Sequence, residues 1–218
     1  MRGKAWLIGF LIIPVVAYLA AIYSAITDTR PTSFDSNTEM MSVAELRKLS
    51  LDLYDIKPGY LYIHAQAGPM TRDLLERTAS EQYADYIESL PRFSGYQSIW
   101  SKTTYEFAIH NISRTILTNQ ALAFDSERAA SSFLPKYQKF YSFPLNPIPY
   151  KQFADETIAY YSKRKVGRFT YDVYHVLIRQ NNLVLVVQYE RAPVSDDMRE
   201  LDDYVSYLAY RMEIYSPD

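Results

Sequence analysis

The spacing of apolar residues changes several times along this chain, and each change marks an element. The first stretch has no period. From Ala5 to Thr27 no residue is charged, and Trp6–Ile26 is an almost unbroken apolar run of 21 residues. At about 1.5 Å per residue such a run spans roughly 32 Å, the thickness of a bilayer's hydrocarbon core. Pro14 lies mid-span, which membrane helices tolerate when the freed carbonyl finds another partner. Trp6 and Tyr23 sit where interfacial aromatic belts fall. The pattern predicts a transmembrane helix over residues 1–27. Residues 28–41 are polar, contain Pro31, and read as a linker.

After the linker, periods of three to four residues alternate with periods of two. Ser42 and Glu45 form a capping box that opens a short helix, Val43–Leu53, with Leu46, Leu49 and Leu53 on one face. Pro58-Gly59 ends it, and Tyr60–Gln66 reads as a strand closed by Gly68-Pro69. Leu75, Ala79, Tyr83, Tyr86, Ile87 and Leu90 fall on one face of a helix from Arg72 to Leu90. Three strand-like runs follow, Tyr96–Lys102, Tyr105–Ile112 and Thr115–Phe124, rich in β-branched and aromatic residues. Asp125 is placed to cap a third helix with Ala129, Ala130, Phe133, Leu134 and Tyr137 inward, and Pro135 should kink it or end its regular part. Tyr141–Tyr150 contains three prolines and reads as an irregular loop.

The strongest β pattern is Thr157–Ser162, Phe169–Ile178 and Leu183–Glu190. Its first turn is Lys163–Arg168 and its second Gln180-Asn181-Asn182, where asparagine tolerates the positive φ of a tight hairpin. Leu183–Val187 is apolar on both faces, the mark of a central strand covered on both sides. Ser195 caps a last helix, with Leu201, Val205, Leu208, Ala209 and Met212 facing the core. This order predicts an α+β fold: an N-terminal transmembrane helix, then one domain over residues 42–218 with a largely antiparallel sheet flanked by helices.

Charge supplies orientation. Arg2 and Lys4 precede the span, whereas Asp28, Arg30, Asp35 and Glu39 follow it. The basic excess places the N-terminus in the cytoplasm and the domain outside, as a single-pass protein of the cell membrane. A cleaved signal peptide is the rival reading. Cutting after Ala20, Ala21 or Ala25 would put Tyr18, Leu19 or Tyr23 at the −3 position, where a small residue is wanted. Gly9, Ala17, Ala20, Ala21, Ser24 and Ala25 are small enough to let the span pack closely against other membrane helices.

Composition mostly excludes. A net charge of −2 offers no basic face for nucleic acid. The chain has no cysteine. Disulfides, lipoprotein acylation, covalent haem, iron–sulfur clusters, thiolate zinc sites and cysteine nucleophiles are therefore all excluded. No glycine-rich phosphate loop, nucleophile elbow or paired-histidine motif is present. His64, His110 and His175 lie far apart in sequence, each in a predicted strand, and read as local hydrogen-bond partners. Asp155-Glu156 reads as loop solvation or a cation site. Asn111-Ile112-Ser113 is a formal glycosylation sequon within a predicted strand. The 21 tyrosines suit a half-buried sheet or a binding surface. No catalytic residue, cofactor or metal is expected.

Pro58-Gly59 before an extended segment, Gly95-Tyr96 leading to Trp100, the Arg179–Asn182 hairpin and the final helix together make residues 56–215 resemble the PsbP-like or Mog1-like extracytoplasmic α/β sandwiches. That resemblance implies an accessory or binding domain attached to a membrane complex, with no catalytic residue.

Two segments are candidates for partner contact. Lys163, Arg164, Lys165 and Arg168 would crowd cations onto a hairpin tip, for lipid headgroups, an acidic partner or plain solvation. Tyr141, Phe143 and Tyr150 would anchor a partner or cover the core. The first expectation is a non-catalytic accessory subunit of a membrane protein complex. It would be held in the lipid bilayer and dock on other subunits, without nucleic acid. The alternative is a membrane-tethered ligand-binding or sensory domain, which requires an apolar cavity between sheet and helices. An enzyme would need a cleft gathering a histidine with a carboxylate.

Overall fold

The computed structural model describes residues 40–106, 111–167, 169–192 and 198–215, and gives no side-chain detail for 104–113. The expected transmembrane helix, its small-residue face, the linker up to residue 39, His110, Arg168 and the Ser195 cap lie outside the described residues. Among those described, no helix is long and apolar enough to cross a membrane.

The elements run α1 (Val43–Lys48), β1 (Tyr60–Tyr62), β2 (Gly68–Pro69), α2 (Arg72–Thr78), α3 (Glu81–Glu88), β3 (Phe93–Glu106), β4 (Asn111–Phe124), α4 (Glu127–Tyr137), β5 (Asn146–Ile148), β6 (Glu156–Val166), β7 (Phe169–Gln180), β8 (Leu183–Arg191) and α5 (Arg199–Tyr215). The strands form one sheet in the order β1-β3-β4-β8-β7-β6-β5, with β2 also on β3. Every pairing is antiparallel. The α+β expectation with a largely antiparallel, helix-flanked sheet therefore holds for this domain.

Alternation along the strands builds two cores. On one face Leu183, Leu185, Val187, Trp100 and Leu117 pack with Leu46 of α1, with Leu49 just after it, and with Leu201, Val205 and Leu208 of α5. On the other, Val184, Val186, Leu122 and Phe124 pack with Leu75 of α2, Tyr83 and Ile87 of α3, and Phe133 and Tyr137 of α4. Strand β8 feeds both, as the two-sided apolarity of Leu183–Val187 requires. Each such side chain contributes about 1.5–3 kcal/mol by leaving water.

Local signals explain most boundaries. The capping box forms as read: the Ser42 hydroxyl accepts from Glu45 N–H at 3.3 Å, and the Glu45 carboxylate accepts from Ser42 N–H at 2.7 Å. The Ser42 hydroxyl also donates to the Glu45 carboxylate at 2.7 Å, and this bond, with that from Ser42 N–H, holds the carboxyl below its usual range. Asn181 takes φ 52° in the two-residue β7–β8 hairpin. Gly59 and Gly167 take φ 97° and 59°, backbone that side chains resist.

Several expectations are corrected. Helix α1 stops at Lys48, and Leu53 is 68% exposed rather than on its buried face. The Arg72–Leu90 helix is two, because Ser80 is extended and caps the second by accepting from Tyr83 N–H. Arg72, paired with Glu76 within α2, then ties α2 to α3 through Asp85 and Glu88. The three runs from Tyr96 to Phe124 are two 14-residue strands that pair with each other. His64 belongs to a 3-10 turn, His64–Gln66, not to a strand. Ser126, not Asp125, caps α4, while Asp125 accepts from the Ser126 hydroxyl. Pro135 is carried within α4, which tightens into a 3-10 turn at Gln138–Phe140. Strand β6 continues to Val166, so Lys163, Arg164 and Lys165 are strand residues rather than a turn. Within Tyr141–Tyr150, Asn146–Ile148 pairs with β6 as an edge strand.

Candidate functional site

Strand β3 presents Tyr96, Ser98 and Trp100 to one face at a spacing of two. A sheet face buried against helices would ordinarily carry apolar residues at all three. Ser98 and Trp100 are only 1% and 3% exposed, yet neither the Ser98 hydroxyl nor the Trp100 indole N–H has a partner within the protein. A buried polar group without a partner costs about 1–3 kcal/mol, so both atoms need an explanation.

Ser98 and Trp100 belong to the lining of a cavity of about 390 Å³, at the small end of the range for ligand pockets, although these two polar atoms are themselves closed off from solvent. Its walls come from β1, β3 and the chain around α1, including Leu51, Tyr60 and Tyr62. Tyr62 leans on the Trp100 ring at 4.8 Å and meets His64 edge-on at 4.6 Å. Its hydroxyl lies 3.3 Å from that of Tyr96. Burial is the main reason the Tyr62 phenol is pushed above its ordinary range, and the nearby charge of Arg47 opposes that rise. Arg47 also lines the cavity and has no carboxylate partner among the described residues.

The wall formed by residues 50–55 is held from three sides. The Asn119 carbonyl accepts from Leu51 N–H at 3.2 Å. Arg211 donates to the carbonyls of Ser50 and Lys48 and pairs with Asp55 at 3.0 Å. Lys57 pairs with Asp203 at 2.9 Å. The cavity thus has a fixed aromatic floor and an outer wall clasped to α5. Leu53 and Leu61, 68% and 75% exposed, stand at its lining and leave an apolar rim in water.

The residues singled out in the sequence lie elsewhere. The Tyr141 hydroxyl is 2.6 Å from that of Tyr137, which in turn lies 2.9 Å from His175 Nδ1. Phe143 packs on Tyr141 at 5.4 Å. The Tyr150 hydroxyl donates to Asp202 at 2.6 Å. Arg164 reaches the buried Glu190 carboxylate at 2.8 Å, while Lys163 and Lys165 point to solvent. Burial raises Glu190 above the carboxylate range, against the pull of Arg164. Asp155 and Glu156 are neither a cation site nor free loop charge, since both neutralise the near-buried Arg179 at 3.3 Å, together with Glu127.

His175 is fully buried on the opposite face from the cavity, and burial lowers its pKa to about 3. His64 lines the cavity, so the structure does not bring these two histidines together.

The domain is an α+β fold, an antiparallel sheet with helices on both faces and an aromatic cavity on one of them. The fold is shared with the extracellular domain of PknH from Mycobacterium tuberculosis, at a TM-score of 0.52 and 11% identity over 81% of this chain and 100% of that one. The Rv0999 ortholog from Mycobacterium smegmatis matches at a TM-score of 0.40 and 12% identity, over 78% of this chain and 96% of that one. Neither is described as PsbP-like or Mog1-like, so that resemblance rests on its sequence features alone. No protein-family model and no curated protein matches the chain.

Proposed function

We propose that this protein is a membrane-tethered ligand-binding or sensory protein, with its α+β domain outside the cytoplasm and its ligand in the Trp100 cavity. One observation carries the reading. A cavity of about 390 Å³ is lined by the rings of Tyr60, Tyr62, Tyr96 and Trp100, with the dimensions of a small-ligand pocket. The shared fold with an extracellular domain supports an extracytoplasmic position. The N-terminal apolar run, with Arg2 and Lys4 before it, supports the tether. The domain binds without turning its ligand over, and no catalytic step is assigned to it. The accessory-subunit reading has less on its side, because Tyr141 and Tyr150, its candidate anchors, engage Tyr137 and Asp202 inside the domain.

A melting screen of the full-length protein in lipid nanodiscs against a metabolite collection tests this. The reading predicts a compound that raises the midpoint by several degrees at concentrations well above its Kd. The cavity-plugging variant Ser98→Leu should not respond. No response to any compound, or an equal response in Ser98→Leu, would contradict it.

A further inference from the structure

Most of the large hydrophobic side chains left in water come from two segments that touch. Among the described residues eight are exposed, and six of them are Leu53 and Tyr54, on the wall clasped to α5, and Tyr207, Tyr210, Ile214 and Tyr215 of α5 itself. Tyr54 is 95% exposed. Arg211 fastens the segments together. It donates to the carbonyls of Lys48 and Ser50, pairs with Asp55, and lies over the Tyr207 ring at 4.6 Å. Lys57 N–H donates to the Tyr204 hydroxyl at 3.1 Å a little further along. Tyr207, Tyr210 and Ile214 recur at spacings of three and four, so they share one face of α5, beside the face that buries Leu201, Val205 and Leu208. Single exposed hydrophobic residues need no explanation, but a group on joined segments marks an interaction surface.

The patch lies close to where the chain enters the domain. Met41 is buried in the same core, and α1, six residues or about 9 Å long, leads from it to Ser50. Only residues 28–39 separate this entry from the N-terminal apolar run. Twelve residues reach at most about 40 Å when fully extended. A bilayer holding that run is therefore always within reach of the patch, whereas a free partner must be captured from solution. Four tyrosines with one leucine and one isoleucine match the aromatic belts of membrane interfaces. Arg47 and Lys48, exposed in the last turn of α1, stand beside the patch to meet headgroup phosphates. We propose that Leu53, Tyr54 and the outer face of α5 dock on the headgroup–acyl boundary of the bilayer, an inference that rests on the membrane-tethered reading. Leu53 also lines the cavity, so docking sets the cavity beside the interface, within reach of compounds that partition into lipid.

The chain has no cysteine, so single nitroxide labels can be placed on the full-length protein in phosphatidylcholine nanodiscs. Tyr54→Cys, Tyr210→Cys and Ile214→Cys carry labels in the patch. Gln82→Cys labels α3 on the other face of the sheet, and Val16→Cys labels the apolar run. Each label is tested for collisions with oxygen, which concentrates in lipid, and with a water-soluble nickel chelate. Docking predicts that the Val16→Cys label and all three patch labels shift towards oxygen, while the Gln82→Cys label stays with nickel. Adding Tyr54→Ser and Tyr210→Ser, both at exposed positions, should return the Ile214→Cys label to the Gln82→Cys value without changing the melting temperature. Patch labels that match Gln82→Cys while Val16→Cys stays with oxygen overturn the docking and leave the tether standing. Patch labels shielded from both reagents and broadened by one another across copies also overturn it, since a second copy then covers the patch. A Val16→Cys label that collides with nickel overturns the tether and the docking together.

Discussion

The two faces of the sheet use the same aromatic-rich composition to opposite ends. Under α2, α3 and α4, Tyr83, Phe133, Tyr137 and Phe140 interlock around Phe124, and polar tips are matched within the domain. The Tyr83 hydroxyl donates to Gln120, which donates in turn to Gln97. Tyr137 links Tyr141 to His175. His175 Nε2 is unpaired there too, but its ring is boxed by Tyr137 and Tyr141 with centroids 5.6 and 4.8 Å away. On the other face, the rings of Tyr60, Tyr62, Tyr96 and Trp100 border open volume instead. A closed aromatic face stabilises the domain. An open one gives up some of that stability and retains a place for a ligand.

Matched truncations break this comparison most sharply. Phe133→Ala on the closed face should cost about 3–5 kcal/mol, because no neighbour can collapse into the space. Tyr62→Ala on the open face should cost only about 1–2 kcal/mol, since part of its surroundings is already empty. Urea unfolding of both variants measures the difference, and equal costs would mean the cavity is packed in solution.

Acid gives the next largest effect, and only on the closed face. His175 is held near pKa 3 in the fold against about 6.5 when unfolded. The unfolded chain therefore binds the extra proton between those values, and stability should fall as pH drops below 6.5. The slope is about 1.4 kcal/mol per pH unit, so roughly 2 kcal/mol is lost by pH 5. The change His175→Gln, which keeps a partner for Tyr137, should remove most of that slope while leaving ligand affinity at pH 7 unchanged.

Arg211→Ala has the smallest predicted cost, about 1 kcal/mol, because Asp55 keeps its bond from Asp52 N–H and the Asp52 contact of Arg211 lies at the surface. Its local effect should be larger. Amide exchange at residues 50–55 should accelerate, while exchange in α3 and α4 stays as it was.

How much of this was legible depended on how local each signal was. The Ser42–Glu45 box, the Asn181 hairpin and the two-sided apolarity of β8 are encoded within a few residues and were read correctly. The basic turn was misread although a period of two continued through it, with Ser162 and Arg164 on one face and Lys163 and Lys165 on the other. The cavity was not legible as a site. It arises where residues 47–62 fold over β3, held by contacts such as Leu51 to Asn119 across 68 residues. A signal did exist: Ser98 sits between Tyr96 and Trp100 on what should be a buried apolar face. Sequence reading noted the flanking aromatics without the serine between them.

The most direct measurement follows the Trp100 indole N–H proton resonance in the full-length Trp6→Phe protein as binding compounds are added. Occupancy of the cavity that Trp100 lines predicts a saturable shift of that single resonance, absent in the Ser98→Leu variant. A compound that raises the melting temperature while the resonance stays in place would contradict the assignment of the ligand to this cavity.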